Sequence, residues 1–525
     1  MNKLFILFFV LINLAFTNVE AQNSIDNTFR YCEYSYPRTF DPINSKDDSP
    51  NIRITALLYT GLFEQNISGN FISKIVTDHE FLPGNRIRII LKPGMLWSDG
   101  GAVTTLDVDK TMQAINKSSN QYLKTITSIF LNLNREDDYN IVFQYRKGIS
   151  EKRVLEGLQF KLLPQYKLKD LPLAPKVFNN PVTFGYFNFD DNDDNIITLK
   201  VDNNFRKINN NKPGLDKVKV YVKPDRGTQY EYFKNAHSDL LLDVRPIDIS
   251  QFSNNPQWEI VKRNNLSFFF FAFNLRNKTL KDKNIRKAMM YGFDRKNVLT
   301  KIYQNEGELL AGPYTSGSLY YNNEIQPYEY DSDQAILYLK NAGYIRNSSG
   351  IMVNERGEEL KLSVITPGGG NNEYTARVIA QFISDMQNIG VVISIVDLDY
   401  VGYLDRLKNK RDYDIAYGEV TFDPNYDIFP LFHSSFIGEG LENFISYSNK
   451  NVDQLLSEIK NENLPFNDKK AKADELQGIL MDECPYMFLW SLKKTMVYDR
   501  RVRNLQGTIS SFSFYDHIDE WYIEK

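Results

Sequence analysis

Leu-Lys-Leu-Ser-Val-Ile-Thr at 360–366, Val-Val-Ile-Ser-Ile-Val-Asp at 391–397 and Tyr-Asp-Ile-Ala-Tyr-Gly at 413–418 are the three runs that decide the fold. Each has the length and the apolar content of a strand. A helical pattern occupies 372–389 between the first two runs, and another occupies 401–408 between the second and the third. Strands that alternate with helices in this way predict an α/β lobe.

Further strands and helices are predicted on both sides of these runs. The segment 266–275 has consecutive Phe residues at 268–271, and its length and aromatic content favour a buried strand over a helix. We also predict strands at 85–91, 195–201 and 218–222, and helices at 105–115, 282–291, 295–303 and 332–342. The sequence contains no repeat of fixed period and no low-complexity linker. We therefore expect the lobes to be joined by strands that cross between them.

Chain length and charge restrict the class of protein. The chain has 525 residues, and single hydrophobic cores stop growing at about 250–300 residues, so two or three lobes are expected. The formal net charge is −4, which gives no argument for nucleic acid or an anionic membrane as a partner, and we expect no nucleic-acid partner. Only four His residues occur, and we predict neither a metal nor another cofactor.

The first 21 residues have the three parts of a signal peptide. Lys3 supplies a positive charge, and 4–16 is almost wholly apolar but shorter than the ~20 residues of a spanning helix. Val19 and Ala21 are small residues at the two positions that a signal peptidase reads. We therefore predict cleavage before Gln22 and export to the periplasm, with a membrane anchor as the alternative. No Cys follows the apolar run directly, which argues against a lipoprotein.

Two cysteines, Cys32 and Cys484, lie near opposite ends of the chain. An exported compartment permits a disulfide, but spacing alone cannot establish one. Two buried thiols that pack as small apolar side chains are the favoured interpretation.

The sequence lacks the common catalytic and nucleotide-binding motifs. No G-x-S-x-G, H-E-x-x-H, GxxxxGK[ST] or G-x-G-x-x-G occurs. The glycines at 368–370 lack the Lys of a phosphate loop, and His and Ser at 433–435 are adjacent in sequence, which is not the geometry of a triad. The acidic cluster at 190–194 lacks the Gly and Glu of a calcium loop and predicts a solvated turn. These absences favour a binding protein over an enzyme.

A set of short segments spread along the chain carries a family resemblance. These segments are Leu58-Tyr-Thr-Gly-Leu-Phe63, Leu91-Lys-Pro-Gly-Met-Leu-Trp-Ser-Asp-Gly100, Thr104-Thr-Leu-Asp-Val108, Phe273-Asn-Leu275, Ile285-Arg-Lys-Ala288, Phe293-Asp-Arg295, Gly312-Pro313, Tyr338-Leu-Lys-Asn-Ala-Gly-Tyr344, Asp412-Tyr-Asp-Ile-Ala-Tyr-Gly418 and Glu483-Cys-Pro-Tyr-Met487. In this order they resemble the peptide/nickel-type (family 5) solute-binding proteins of ABC transporters. A single segment carries little weight, whereas the ordered set covers nearly the whole chain after the signal peptide.

The resemblance implies an α/β, periplasmic-binding-protein-like fold (type II, cluster C). Two main lobes would face each other across a ligand cleft, with a smaller lobe inserted in the first. Carried onto this sequence, the signal peptide is 1–21, lobe I is 22–55, 175–267 and 486–525, the inserted lobe is 56–174, and lobe II is 268–485.

Binding is expected to close the two lobes over the ligand. The segments near 262–270 and 484–490 would then act as hinges.

The resemblance also locates candidate ligand contacts after the predicted strand at 413–418. In the family, an Asp that holds the ligand's ammonium follows this strand, and here Phe422 occupies the expected position. Asp423, one residue further, is the nearest candidate for a charge-assisted bond to that ammonium. Glu419 stands where the family has Trp, and it could hold the positive charge instead. The backbones of Glu419 and Thr421 would form the strand edge that pairs with an extended peptide.

We therefore predict an exported, non-enzymatic and monomeric solute-binding protein. It would bind peptides or peptide-like solutes and deliver them to the permease subunits of an ABC importer. A nickel chelate, an oligosaccharide or a cell-wall peptide remains open as the solute, and Asp423 could simply begin a turn with Pro424 and Asn425. A periplasmic hydrolase with a carboxylate pair and a cell-surface interaction protein are the alternatives from other classes.

Overall fold

A computed structural model provides the coordinates of the chain. It describes residues 27–44, 49–65, 70–168, 181–193, 195–209, 214–368, 373–422, 426–461, 464–505 and 518–524. The predicted signal peptide lies outside these ranges.

Most strands belong to three sheets. The seven-stranded sheet has the spatial order β12 (Trp258–Arg263), β22 (Lys494–Asp499), β11 (Leu240–Leu241), β1 (Thr28–Glu33), β10 (Lys217–Val222), β9 (Ile196–Val201) and β8 (Phe187–Asp193). The five-stranded sheet has the order β18 (Val392–Leu398), β17 (Lys361–Pro367), β19 (Ile415–Thr421), β13 (Ser267–Phe273) and β20 (Tyr486–Phe488). The four-stranded antiparallel sheet has the order β4 (Val76–Leu82), β5 (Arg86–Leu91), β7 (Asn140–Tyr145) and β6 (Phe130–Arg135).

Short strands form four further pairs among the described residues. These are β2 (Glu64–Gln65) with β3 (Phe71–Ile72), β14 (Gly307–Leu309) with β21 (Trp490–Leu492), β15 (Ile345–Arg346) with β16 (Met352–Val353), and β23 (Val502–Arg503) with β24 (Tyr522–Ile523).

Helices connect and cover the sheets. They are α1 (Ser49–Leu58), α2 (Thr105–Lys117), α3 (Gln121–Thr127), α4 (Glu151–Glu156), α5 (Asn203–Ile208), α6 (Arg226–Lys234), α7 (Lys283–Gly292), α8 (Arg295–Tyr303), α9 (Ser332–Asn341), α10 (Glu373–Asn388), α11 (Tyr400–Leu404), α12 (Phe429–Phe432), α13 (Lys450–Ile459) and α14 (Phe466–Glu483). α2 begins with a capping box between Thr104 and Asp107, which satisfies backbone N–H groups at its first turn.

The strand and helix pattern that decides the fold is confirmed. β17 pairs in parallel with β18 and with β19, and α10 lies in the chain between β17 and β18. β13 joins the sheet antiparallel to β19. The prediction of an α/β architecture is therefore confirmed, with parallel strands joined by helical crossovers.

The four Phe residues of β13 explain why this strand is a continuous apolar run. Side chains alternate between the two faces of a strand. Phe271 stacks on Phe382 of α10 with ring centroids 4.1 Å apart, whereas Phe270 packs edge-on against Tyr486 at 5.1 Å. Three of the four Phe side chains are buried and Phe269 is half-buried, so both faces of the sheet are covered at this strand. Each burial contributes about 1.5–3 kcal/mol.

Gly418 of β19 is required by its neighbours. A Cβ atom at this position would lie 2.9 Å from the Phe270 ring and 2.9 Å from the Tyr403 hydroxyl oxygen. The absence of a side chain therefore lets these two aromatic residues approach the strand where it enters the candidate site.

At two described places the chain crosses between the seven-stranded sheet and the region that holds β13, β14 and β21. Residues 264–266 join β12 to β13, and Lys493 joins β21 to β22. The second crossing follows the segment 484–490 that the sequence predicted as a hinge, because Met487 still pairs with Phe271 of β13. A boundary after residue 485 therefore precedes the crossing.

The structure tests the turn that the sequence predicts at the acidic cluster 190–194. The prediction is wrong for the residues of this cluster that the structure describes, because Asp190–Asp193 belong to β8. The chain turns instead at Asn195, which has φ 66°. β8 is an edge strand, and exposed charges protect such edges from pairing with other chains.

Cys32 and Cys484 are both free and buried, as favoured. None of the helices in the described ranges combines the length and the apolar content needed to cross a membrane.

Candidate functional site

One end of β19 presents backbone groups that its neighbour β13 does not use. The N–H of Phe422 donates to the carbonyl of Leu266 at 2.8 Å, which fixes the alternation of the ladder between the two strands. In an antiparallel pair, successive residues direct their N–H and C=O groups to opposite sides. Glu419 and Thr421 therefore direct these groups away from β13.

The opposite side of β19 is covered by β17 over only part of its length. Among the described residues, the paired positions are Ile415 and Ala416. The carbonyl of Tyr417 accepts a hydrogen bond from the Tyr403 hydroxyl at 2.9 Å. Beyond this point, at Glu419, no described strand pairs with β19 on this side. Within the described ranges, this edge of β19 is therefore unpaired at Glu419 and Thr421.

The Glu419 carboxylate faces a cleft between the two larger sheets. Its side chain is exposed, and its Oε1 accepts a hydrogen bond from the hydroxyl of the buried Ser267 at 2.6 Å. Desolvation by the surrounding protein raises the pKa of Glu419, with the charge of Lys494 opposing this shift and that of Asp243 adding to it. Lys494 and Asp243 belong to the seven-stranded sheet and its connections, so charges from both sheets meet at Glu419.

Aromatic side chains surround the base of this carboxylate. Tyr303 stacks on Tyr374 with ring centroids 5.4 Å apart, and Phe269 stacks on Tyr417 at 6.2 Å. Burial raises the pKa values of Tyr303 and Tyr417, and the charge of Glu419 adds to both shifts. A cation bound by Glu419 would therefore lie beside aromatic rings, which attract positive charge.

A cavity opens on the opposing side, at the carboxyl ends of β1 and β11. It has a volume of about 110 Å³, and its lining includes Glu33, Arg53, Arg226 and Asp243. Arg53 binds the buried Glu33 through two hydrogen bonds, Nε to Oε1 at 2.6 Å and Nη2 to Oε2 at 2.5 Å. Val244, next to Asp243, donates its N–H to the carbonyl of Thr495 at 2.8 Å, so this side of the cavity adjoins the segment that carries Lys494.

Two further contacts join the region of the seven-stranded sheet to the region of α8 and α10. Lys262 Nζ of β12 lies 2.5 Å from Glu306 Oε1, beyond α8. The 3-10 turn Pro246–Gln251 lies against α8, and Tyr374 of α10 is close enough to Arg245 for its charge to influence the arginine pKa. The structure therefore holds the two regions together at points away from the β19 edge.

Asp423, the predicted ammonium anchor, lies outside the described residues. Its neighbour Phe422 is buried, and its ring lies 5.8 Å from Phe268 and 4.3 Å from Tyr426. The position at which the family pattern has an acid is therefore packed into an aromatic cluster in this chain.

The cavity residues were not predicted from the sequence, which placed candidate contacts only at 419–423. Glu33 ends β1, and Asp243 follows β11 with φ 51°. Charged residues at the carboxyl ends of parallel strands are the signal that could have indicated them, since ligands bind at this edge of α/β sheets. Arg53 and Arg226 lie on helices and carry no comparable local signal.

The His-Ser pair does not form a catalytic triad. His433 Nδ1 lies 2.8 Å from Ser435 Oγ and 3.9 Å from Asp453 Oδ1. A triad needs the nucleophile and the acid on different ring nitrogens, so this arrangement does not provide one. In the part of the chain that the structure describes, no group of His, Cys, Asp and Glu side chains could hold a metal ion.

The model of one protein family matches residues 76–439, and its description is "Bacterial extracellular solute-binding proteins, family 5 Middle". Over 508 residues, the chain is 23% identical to the oligopeptide-binding protein AppA of Bacillus subtilis, covering 93% of this chain and 89% of AppA.

Solved structures of similar fold cover almost the entire chain. AppA from Bacillus subtilis in complex with a nonapeptide has a TM-score of 0.76 and 20% identity, covering 95% of this chain and 99% of the other. NikZ from Campylobacter jejuni in complex with Ni(L-His) has a TM-score of 0.75 and 20% identity, again covering 95% and 99%. These similarities establish the periplasmic-binding-protein-like fold, and the two bound solutes differ in chemistry.

Proposed function

Because the chain belongs to the family 5 bacterial extracellular solute-binding proteins, we propose that it binds peptides in the cleft between its two larger sheets. The bound peptide is delivered to the permease subunits of an ABC importer. The protein acts without catalysis and as a monomer, and it reaches the periplasm through the signal peptide at 1–21.

The open edge of β19 at Glu419 and Thr421 is the observation that carries this proposal. An extended peptide can add to such an edge and satisfy its N–H and C=O groups by main-chain hydrogen bonds. These bonds are independent of side chains, so the edge suits peptides of varied sequence. A sugar or a metal chelate has no matching row of amide groups.

Charge recognition places the peptide along this edge. Glu419 holds a positive group of the ligand, since its carboxylate faces the cleft and accepts only one described hydrogen bond, from Ser267. A charge-assisted bond in a partly desolvated site is stronger than a neutral one. Asp423, which follows the same strand, is the second candidate for the ligand's ammonium.

Lobe closure accompanies binding in this proposal. We assign 22–55, 175–267 and 486–525 to lobe I, 56–174 to the inserted lobe and 268–485 to lobe II. The place of β20 in the five-stranded sheet favours a last boundary nearer Lys493. The crossings at 264–266 and Lys493 are the hinge candidates, because a relative rotation of the two sheets must pass through them.

Mass spectrometry of the solute that copurifies with the native protein tests the proposed function. The purified protein is denatured, and the released small molecules are identified. We expect a mixture of short peptides. Recovery of an oligosaccharide or of a nickel–histidine chelate as the main solute would contradict the peptide proposal and leave the family membership intact.

A further inference from the structure

The cavity of about 110 Å³ on the seven-stranded side has a chemistry that the proposed function has not used. It lies where β1 and β11 end and where α6 begins, with Glu33, Arg226 and Asp243 among its lining residues. β1 runs parallel to β10 and β11, and the carboxyl ends of parallel strands form natural ligand crevices.

The charges around this cavity balance each other. Glu33 and Arg53 form a doubly hydrogen-bonded pair, so neither carries an uncompensated charge. The remaining lining charges are one cation, Arg226, and one anion, Asp243. Burial raises the pKa of the Cys32 thiol to about 11, so the thiol on the same wall is neutral. The lining as a whole therefore carries no net charge and gives neither a cationic nor an anionic ligand group a net electrostatic advantage.

The cavity also presents both hydrogen-bond donors and acceptors. Arg226 Nη1 donates to the main-chain carbonyl of Asp243, and a guanidinium has five N–H groups in all. Gln229 donates its amide N–H to the carbonyl of Lys223 at 2.6 Å, which leaves its Oε1 as an acceptor. Among the described residues, the Asp243 carboxylate makes no hydrogen bond or ion pair. A group that both donates and accepts would match this lining.

The ammonium group of Lys223 lies near Cys32 but packs against an aromatic ring. The charge of Lys223 reaches Cys32, but Lys223 Nζ lies over the ring of Tyr232, 4.4 Å from its centroid. Lys223 is not among the lining residues. Lys223 therefore does not change the charge balance of the lining residues.

The volume of the cavity suits a small polar group. A cavity of 150 Å³ is large enough to hold benzene, and this one has about 110 Å³. A side-chain carboxamide is smaller than a benzene ring and is compatible with this volume.

We propose that this cavity is a specificity pocket for an uncharged side chain that both donates and accepts hydrogen bonds, with the carboxamide of Gln or Asn as its best occupant. The proposal rests on the proposed function, because the side chain belongs to the peptide that lies along β19. It predicts a preference for one polar position within an otherwise tolerant ligand.

Calorimetric titration with matched tripeptides tests this pocket. The probes are trialanine and the three tripeptides in which one Ala is replaced by Gln, each with its Glu and Phe counterparts. We expect Gln at one position to bind at least tenfold more tightly than Ala, Glu or Phe at that position. Equal affinity for Gln and Phe at every position would overturn the proposal.

Two variants assign the preference to the cavity. Arg226→Met removes the donors of an exposed side chain, and Asp243→Asn removes the charge with a residue that tolerates positive φ. We expect the Gln preference, measured as the ratio to trialanine affinity in the same variant, to fall below threefold in Arg226→Met and to weaken in Asp243→Asn. Asp78→Asn on the exposed face of β4 is the matched control.

The outcomes separate the two proposals. If trialanine binds and Gln has no advantage, or if the advantage survives in both variants, the pocket is refuted and peptide binding stands. If no tripeptide or longer peptide binds, peptide binding itself is refuted and the pocket proposal with it.

Discussion

Replacement of Glu419 by Gln removes the charge that we assign to the ligand's ammonium while keeping the size of the side chain. Two unit charges 4 Å apart interact by about 4 kcal/mol at an effective dielectric constant of 20. The Glu419 side chain is exposed to the cleft, so water reduces this value. A hydrogen bond to a charged group contributes about 1.5–3 kcal/mol, which corresponds to a rise in Kd of about 10- to 100-fold.

A cycle of four titrations measures this interaction directly. Trialanine and N-acetyl-trialanine are each titrated into the unmodified protein and into Glu419→Gln. Acetylation removes the ligand's charge, and the substitution removes the charge of the protein. If the two charges meet, either change alone weakens binding by about 10- to 100-fold and the second change adds little.

Additive losses would refute the contact, since they would show that acetylation and Glu419→Gln disrupt different interactions. In that case Asp423→Asn is the variant expected to show the missing non-additivity. Glu439→Gln, at an exposed position away from β19, is the matched control and should leave both affinities unchanged.

Three further outcomes follow from the pKa shifts and the packing. The raised pKa of Glu419 means that its carboxylate takes up a proton at a higher pH than an ordinary glutamate does. Affinity for trialanine should therefore fall as the pH decreases, beginning above the pH at which an ordinary glutamate titrates. A Kd that stays constant until the pH reaches the ordinary glutamate pKa would contradict this. Burial raises the pKa of Asp239 from 3.8 to about 6, so the native state binds the proton more tightly than the unfolded state. Stability should therefore be lost as the pH rises through about 6, by up to about 3 kcal/mol, and urea titrations should show that Asp239→Asn removes this dependence. Phe271→Ala should lower the free energy of unfolding by about 3–5 kcal/mol, because this buried ring stacks on Phe382; a loss below 1 kcal/mol in urea titrations would show that the site collapses.

The strands of the five-stranded sheet were predictable because their signal is local. β13, β17, β18 and β19 are short apolar runs, and helical patterns lie between the last three. The ends of these strands were less predictable. β19 extends to Thr421 rather than ending at Gly418, since its pairing with Ser267 continues the ladder.

The candidate site depends on contacts that no local pattern contains. The hydrogen bond between Ser267 and Glu419 joins residues 152 positions apart. The lining of the cavity comes from separate segments, among them β1 at Glu33, α1 at Arg53 and α6 at Arg226. Only the folded sheets bring these groups together.

Sequence by itself determined the α/β elements, the family resemblance and the acidic residue at 419, because strand periodicity and ordered motifs are written along the chain. The tertiary structure decided that Glu419 faces a cleft, that Phe422 packs into an aromatic cluster and that a charge-balanced cavity lies opposite. The physical reason is that burial, charge compensation and cavity volume are properties of groups from distant segments. A linear pattern shows the identity of each such group, but its neighbours are set by the packing of the sheets.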